Sequence, residues 1–520
     1  MVNYRMPSLK IEQFMDELAE DKRIGLSSIT ILKDKKLLGQ RFVAPYDRRF
    51  RHVTYSVCKS VTGMAVGFAL EEGLFSLDDK LVDLLPEYTP ILTRKNKKQV
   101  TVRHLLTMTS GAKFDEAASG LSEDWCKSFM AHDFSEHPGK QFQYNSLNTY
   151  ILSALIKKKA QCGLLAYLQP RLFTPLDIHD VSWETCPKNI EQGGWGMKMS
   201  VTDMLKLGQL YLNRGTWTKE GKTIQVLPKK WVEASTQCHV HLDTKLVKGY
   251  GYQLWLLQDG AYLFNGLFGQ NIYIHPKQNL VIVTTASGQE IFPDGPLLSK
   301  ICDFVSCSEN WKKDPLHIRI HRYMCKVKSL FVSKKKLQDV QAQQLLDAIE
   351  PYCAKAYKFT KKGPSLAPVC LQVSYRQVMK GISGLVFMKQ GDSLYVCLKE
   401  EDMVYRLPVG FGQAKPYGYK HIRICGKNMP VAARLSTQEN RQGALYFVLD
   451  IIYLEEAANK KIYLRFGDNQ VDMIAMDSPD PVAFLQKLTR EPWVQTNKLF
   501  GTLAGKTGRF LFTQVQGKVQ

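Results

Sequence analysis

The chain has 520 residues, 44% hydrophobic and 23% charged, a globular composition that excludes disordered, collagen-like and coiled-coil classes. Its net charge is +21, from 70 Lys+Arg against 49 Asp+Glu. Residues 311–520 carry +16 of this and residues 1–310 only +5, so the basic excess belongs to the C-terminal part, where a nucleic acid competes with plain solubilising charge as its explanation.

In chain order, Met1–Lys36 has no apolar stretch of signal-peptide length and reads as a polar start with an amphipathic helix around Leu9–Leu18. Leu26–Lys33 (LSSITILK) is a strand candidate, while Val61–Glu72 and Met204–Leu212 have helical periodicity. Gly249–Leu257, Gly269–His275 and Leu280–Thr285 read as three consecutive strands, with Pro276–Asn279 turning the last pair. This mixture implies one large α/β sandwich with an antiparallel sheet over residues 1–305.

The polar stretch Cys307–Pro315 marks a linker, set at 306–318, and a second domain is expected over 319–520. A helix at Leu337–Ile349 precedes short alternating runs at Val369–Tyr375, Leu385–Lys389, Leu394–Leu398, Met403–Leu407, Leu445–Leu454, Lys461–Phe466 and Val471–Met476. Strands at that spacing predict a smaller β-rich domain, an antiparallel barrel or a lipocalin-like closure. No run of about 18 apolar residues occurs, so no membrane span is expected. The 12 cysteines include no C-x-x-C pair and fit a reducing cytosol, which predicts a cytoplasmic protein.

The strongest chemical signal is Tyr55-Ser56-Val57-Cys58-Lys59-Ser60-Val61-Thr62-Gly63. Ser56 and Lys59 stand three apart in the first turn of a helix, so they share a face and the amine reaches the hydroxyl. A hydroxyl becomes a nucleophile only beside a base, and a desolvated lysine serves as one. The helix N-terminus favours negative charge developing at Ser56. The spacing alone is weak, because serine is also a common helix cap. It recurs at Ser110/Lys113, in a turn, and at Ser333/Lys336, in a charge run.

The surrounding blocks sharpen the reading. They include Glu72-Gly73-Leu74-Phe75-Ser76-Leu77-Asp78-Asp79, the stretch from Val100 to Gly111, Met199-Ser200-Val201-Thr202-Asp203-Met204 and Gly249-Tyr250-Gly251-Tyr252-Gln253-Leu254-Trp255. Together with the Ser56 motif they resemble the serine β-lactamase and penicillin-recognising superfamily, closest to its class C-like branch of esterases, D-aminopeptidases and aminohexanoate-oligomer hydrolases. The resemblance runs through most of residues 20–295. It implies that Tyr144, in Tyr144-Asn145-Ser146, brings its phenol near the nucleophile, with Ser146 in the third position of that element. Since a phenol is a poor base unless cations stabilise its anion, Lys59 and Tyr144 are treated as a coupled pair.

The family carries Lys-Thr-Gly or His-x-Gly on a strand beside the nucleophile. Here the matching segment reads as Gly266-Leu267-Phe268-Gly269-Gln270-Asn271, keeping the glycine at Gly269 and placing Leu267 at the cationic position. By resemblance, the amides of Ser56 and Gln270 form the oxyanion hole. The absence of a cation at Leu267 argues against substrates that carry a carboxylate. Gly505-Lys506-Thr507-Gly508 spells the missing triad but lies in the other part of the chain, and it has too few residues between glycines for a phosphate loop. His132, Asp133 and His137 are polar residues of one loop without further ligands nearby, so no metal and no cofactor is expected. Cys58 reads as a small packing residue, and Trp125, Trp195 and Trp255 read as core packing or as walls of the cleft.

The expectation is a serine hydrolase acting on small-molecule esters or amides through an acyl-enzyme at Ser56, with Lys59 and Tyr144 catalytic and Ser56, Gln270, Gly269 and Ser146 around the oxyanion and substrate. The alternatives are an acyltransferase using the same acyl-enzyme and a catalytically silent binding protein. Neither nucleic acid nor membrane is expected as a partner. A homo-oligomer is left open.

Overall fold

The computed structural model describes residues 3–4, 9–89, 95–112, 122–134, 136–307, 311, 342–361, 363–412, 415–490 and 515–519. The chain divides into two compact units, Met1–Lys313 with Gln486–Asn497, and Asp314–Leu485 with Lys498–Gln520.

The first unit is built on a nine-stranded sheet. Its order is Asn3–Tyr4, Lys36–Phe42, Leu26–Lys33, Leu280–Ala286, Gln270–His275, Tyr262–Gly266, Trp255–Leu257, Val247–Tyr250 and Val240–His241. All neighbours are antiparallel except the edge pair Asn3–Tyr4 with Lys36–Phe42. The central strand Leu280–Ala286 is buried along its whole length, as its near-continuous apolar run requires of a strand covered on both faces.

The helix Val57–Glu71 packs on this sheet. Val57 through Ala69 are all buried, and the helix carries almost no amphipathic bias because it is apolar all round. Each fully buried Val or Met in it contributes about 1.5–3 kcal/mol of apolar transfer. Helices Ser146–Ala160 and Val201–Leu212 complete the layer, and a small sheet of Arg51–Val53, Met197–Ser200 and Ser182–Trp183 leads the chain into the Ser56 turn.

The segment read from sequence as one strand, Gly249–Leu257, is two strands. Between them Gln253 adopts a left-handed backbone (φ 62°) and turns the chain inward. There its side chain bonds to Leu105 O, Leu106 O and Thr149 Oγ1.

The second unit is a ten-stranded antiparallel sheet. In order it runs Met403–Val409, Ser393–Glu400, Ile382–Gln390, Ala356–Phe359, Val515–Val519, Gln470–Ser478, Ala458–Phe466, Leu445–Tyr453, Lys427–Glu439 and Gly418–Ile424. Ala356–Phe359 pairs with Val515–Val519, so the first strand of the chain order meets the last. Gly410 N donates to Ala433 O at 3.0 Å and Leu435 N to Gly410 O at 2.9 Å, nearly closing the remaining gap into a barrel. Alternate residues such as Leu394, Val396 and Leu398 point inward to one apolar core.

Residues 363–381 are fixed to one end of this barrel. Val369–Tyr375, read from sequence as a strand, is a helix there over Val369–Ser374. Its Val-rich alternation is real, but the segment leaves the sheet at Pro368 and is held by buried carboxylates. Glu400 accepts from Leu366 N (3.0 Å) and Gly381 N (2.8 Å), and Asp477 accepts from Val369 N (2.7 Å). Asp477 is also ion-paired with buried Lys460. Strands Ala356–Phe359, Gly418–Ile424, Lys427–Glu439 and Val515–Val519 had no counterpart in the sequence reading. Residues 342–349 of the predicted Leu337–Ile349 helix are helical, and the rest of it lies outside the described residues. Among the described residues no helix is long and apolar enough to cross a membrane.

Candidate active site

The strand Arg51–Val53 and helix Val57–Glu71 are joined by a tight turn in which Tyr55 has φ 46°. A non-glycine residue in this region is held there by its surroundings. One visible restraint is the edge-to-face contact of the Tyr55 and Phe268 rings, 5.3 Å apart, where Phe268 is itself left-handed (φ 67°). Ser56 occupies the N-cap position of the helix without capping it through its own side chain.

Lys59 is 1% exposed, and its Nζ bonds, among the described residues, to Ser56 Oγ at 2.9 Å, Ser146 Oγ at 2.9 Å and Gly194 O at 2.8 Å. The structure thus brings Ser56, Lys59 and Ser146 to one point from two helices 87 residues apart. Tyr144 stands beside them, with Lys59 Nζ 5.0 Å from its ring centroid. Its ring stacks on Trp255 (5.5 Å, 22°) and meets Phe292 edge-on at 5.5 Å. Trp125 and Trp195 stack on each other at 5.3 Å.

Ser146 begins the helix Ser146–Ala160, whose N-cap Asn145 accepts from Leu147 N at 2.9 Å. The Tyr144-Asn145-Ser146 element therefore splits its work: Asn145 starts the helix, and Ser146 is left to face Lys59.

Gly194 was not singled out by the sequence reading. It lies in Glu191-Gln192-Gly193-Gly194-Trp195-Gly196, and a Cβ added to it would come within 2.7 Å of Ser146 O and 3.4 Å of Lys59 Nζ. The neighbouring Gly193 O accepts from Thr62 Oγ1 (2.9 Å) and from Cys58 Sγ (3.2 Å). Burial pushes the Cys58 thiol up to about 12, so it is a protonated packing group beneath the nucleophile. The doubled glycine is the only signal the sequence offers for this close approach.

The third element brings a second glycine beside the assigned Gly269. A Cβ on Gly266 would lie 2.3 Å from Thr54 O and 3.3 Å from Ser56 N, so it is Gly266 whose bare backbone abuts the nucleophile turn. Gly269 instead faces Leu297 and Ala286. Gln270 lies opposite Gly266 in the strand ladder, and its side-chain amide donates to Leu267 O (3.2 Å) and Ala286 O (2.6 Å), supporting the turn from behind. Phe264, two residues before Gly266 on the same strand, is fully buried with its ring 4.9 Å from Tyr211.

Of the other candidates, Ser110 bonds to Asn148 Oδ1 (2.8 Å), away from Lys59, while Lys113, Ser333, Lys336 and Gly505–Gly508 lie outside the described residues. The His132 ring meets Ser128 O at 2.5 Å on its own helix. Among the described residues no group of three or more His, Cys, Asp or Glu is placed to hold a metal ion.

A family model described as Beta-lactamase matches residues 11–298. A beta-lactamase of Yersinia enterocolitica is 27% identical over 159 residues, covering 30% of this chain and 39% of that protein's length. The 6-aminohexanoate-dimer hydrolase of Paenarthrobacter ureafaciens is 22% identical over 314 residues, 54% of this chain and 76% of that protein. The structure of an octameric penicillin-binding protein homologue from Pyrococcus abyssi aligns with TM-score 0.47 and 16% identity, covering 89% of this chain and 97% of that one.

Proposed function

The chain belongs to the beta-lactamase family, and on that premise we propose that it is a serine hydrolase of small, neutral esters or amides working through an acyl-enzyme on Ser56. The observation that carries the reading is the placement of the buried Lys59 Nζ, 2.9 Å from Oγ of the half-buried Ser56. A neutral amine has two N–H donors and one lone pair. Nζ donates to Ser56 Oγ, Ser146 Oγ and Gly194 O; once the amine has given up one proton, Ser146 Oγ and Gly194 O keep its two donors and its lone pair is left for the Ser56 hydroxyl.

The chemistry follows from that inventory. The Ser56 proton passes to Lys59 as Oγ bonds to the substrate carbonyl carbon, whose π electrons move onto oxygen. The proton then goes to the leaving alkoxide or amine as its bond to carbon breaks, with Tyr144 beside Lys59 as the relay. Water repeats the sequence on the acyl-enzyme and releases the acid. The register of Gly266 favours the amides of Ser56 and Leu267, the residue after Gly266, as the oxyanion donors in place of Ser56 and Gln270.

Neutral substrates are favoured because the strand residues preceding the Ser56 contact are Phe264-Asn265-Gly266, with buried Phe264 where the family pattern puts lysine or histidine. With its three partners in place, Lys59 has no donor to spare for a substrate carboxylate. The test is labelling by a fluorophosphonate probe together with turnover of p-nitrophenyl acetate. Ser56→Ala is expected to abolish labelling and to lower kcat by about 10³-fold or more. Full turnover by Ser56→Ala would refute the assignment.

A further inference from the structure

Among the residues that hold the turn Leu267–Gly269 is Glu290, which lies outside the strands. Phe268 N donates to Glu290 O at 2.6 Å. The side chain of the same Glu290 reaches the N-terminus of the eleven-residue helix Pro296–Ser306, where Oε1 accepts from Leu297 N at 2.5 Å. That helix has no cap of its own, because its N-cap residue is Gly295, and a Cβ there would come within 2.3 Å of Glu290 Cγ. Glu290 is 4% exposed. A carboxylate caps a helix start most strongly when ionised, since the first-turn amides and the helix dipole both favour negative charge.

We propose that Glu290 is a positioning residue that fixes the Leu267–Gly269 turn, and with it the Leu267 amide, by anchoring that turn to the start of helix Pro296–Ser306. The proposal rests on the serine-hydrolase reading and its oxyanion assignment. Ring contact between Phe268 and Tyr55 extends the same anchor to the nucleophile turn, so Glu290 braces both sides of the reacting carbonyl without touching substrate.

Burial raises the Glu290 carboxyl to about 7 against the Leu297 and Leu298 amides, which lower it. The charged groups facing it are Lys487, which favours the anion, and Asp294 on its own loop, which opposes it. Between about pH 6 and 8 the cap therefore passes from a neutral to an ionised acceptor. The oxyanion turn is held more firmly at the upper end.

The test compares kcat and KM for p-nitrophenyl acetate across pH 5.5–9 in wild type, Glu290→Gln and Glu290→Ala, with Ser56→Ala as control. Gln keeps the shape and a neutral acceptor. Glu290→Gln is expected to lack the rise of kcat near pH 7, to lose about five-fold in kcat at pH 8, and to leave KM within about two-fold. Glu290→Ala is expected to lose more kcat over the whole range. If Ala fails to fold, the Gln profile decides. A Glu290→Gln enzyme that keeps the wild-type kcat profile overturns the positioning role, whereas turnover surviving in Ser56→Ala would instead refute the underlying mechanism.

Discussion

Lys59 meets one side-chain partner from its own helix turn, one from a second helix and one backbone carbonyl, and the three differ in how they can be altered. Ser146 Oγ can be removed by mutation, but Gly194 O can only be moved. Glycine is required there because a methyl group would press on Ser146 O at 2.7 Å, a backbone atom that cannot rotate aside. Gly194→Ala is therefore expected to push its carbonyl off Lys59 and lower kcat by about 10²-fold, the usual consequence of a misplacement near 1 Å. A thermal melt separates this from collapse: the midpoint should fall by only a few degrees. Activity unchanged in Gly194→Ala would mean that the carbonyl contact is incidental.

At the level of elements, local features were legible and crossings were not. The Ser56–Lys59 pair is an i, i+3 relation on one helix, so sequence spacing contains it. Leu26–Lys33, rich in β-branched residues, and Leu280–Thr285, a near-continuous apolar run, could be read because both are short and bounded by turn residues. The partnership of Lys59 with Gly194 is invisible, since a carbonyl has no letter of its own and the loop is 135 residues away. Sequence could not choose the register of the third motif for a related reason. Gly266 and Gly269 sit three apart on either side of a turn, and only the approach of the strand to Thr54 and Ser56 distinguishes them. In the barrel, Gly418–Ile424 was hidden by exposed Lys420, His421 and Arg423, and Lys427–Glu439 by Pro430, which normally argues against a strand interior. Val369–Ser374 erred in the opposite sense, as a strand-like pattern held in a helix by tertiary bonds. Those bonds make a prediction. Glu400→Ala would leave the buried Leu366 and Gly381 amides without their acceptor, a loss of about 2–4 kcal/mol to the barrel. Urea unfolding followed by barrel tyrosine signals should shift to a lower midpoint, while fluorophosphonate labelling of Ser56 in native buffer stays at the wild-type level.

For the whole molecule, charge and chemistry separate. Of the net +21, +16 lies in residues 311–520, and the part that carries Ser56, Lys59 and Tyr144 is nearly balanced. A charged protein speeds capture of a ligand only if the ligand has charge for the field to act on, and at about 0.1 M salt such steering fades beyond about 10 Å. The buried apolar Phe264, two residues before Gly266, and a Lys59 already bonded to three protein oxygens speak for the proposed substrate without a carboxylate. For such a substrate the basic excess is kinetically silent. Raising NaCl from 0.05 to 0.5 M should therefore change kcat/KM for p-nitrophenyl acetate by less than about two-fold. A hemisuccinate ester of p-nitrophenol, tested beside it, should be the poorer substrate at both salt concentrations, because electrostatic attraction to the protein would not place a cation where the family pattern has one. A hemisuccinate preferred at low salt and losing that preference at high salt would show that the basic surface recruits anionic substrates and that the neutral-substrate reading is wrong.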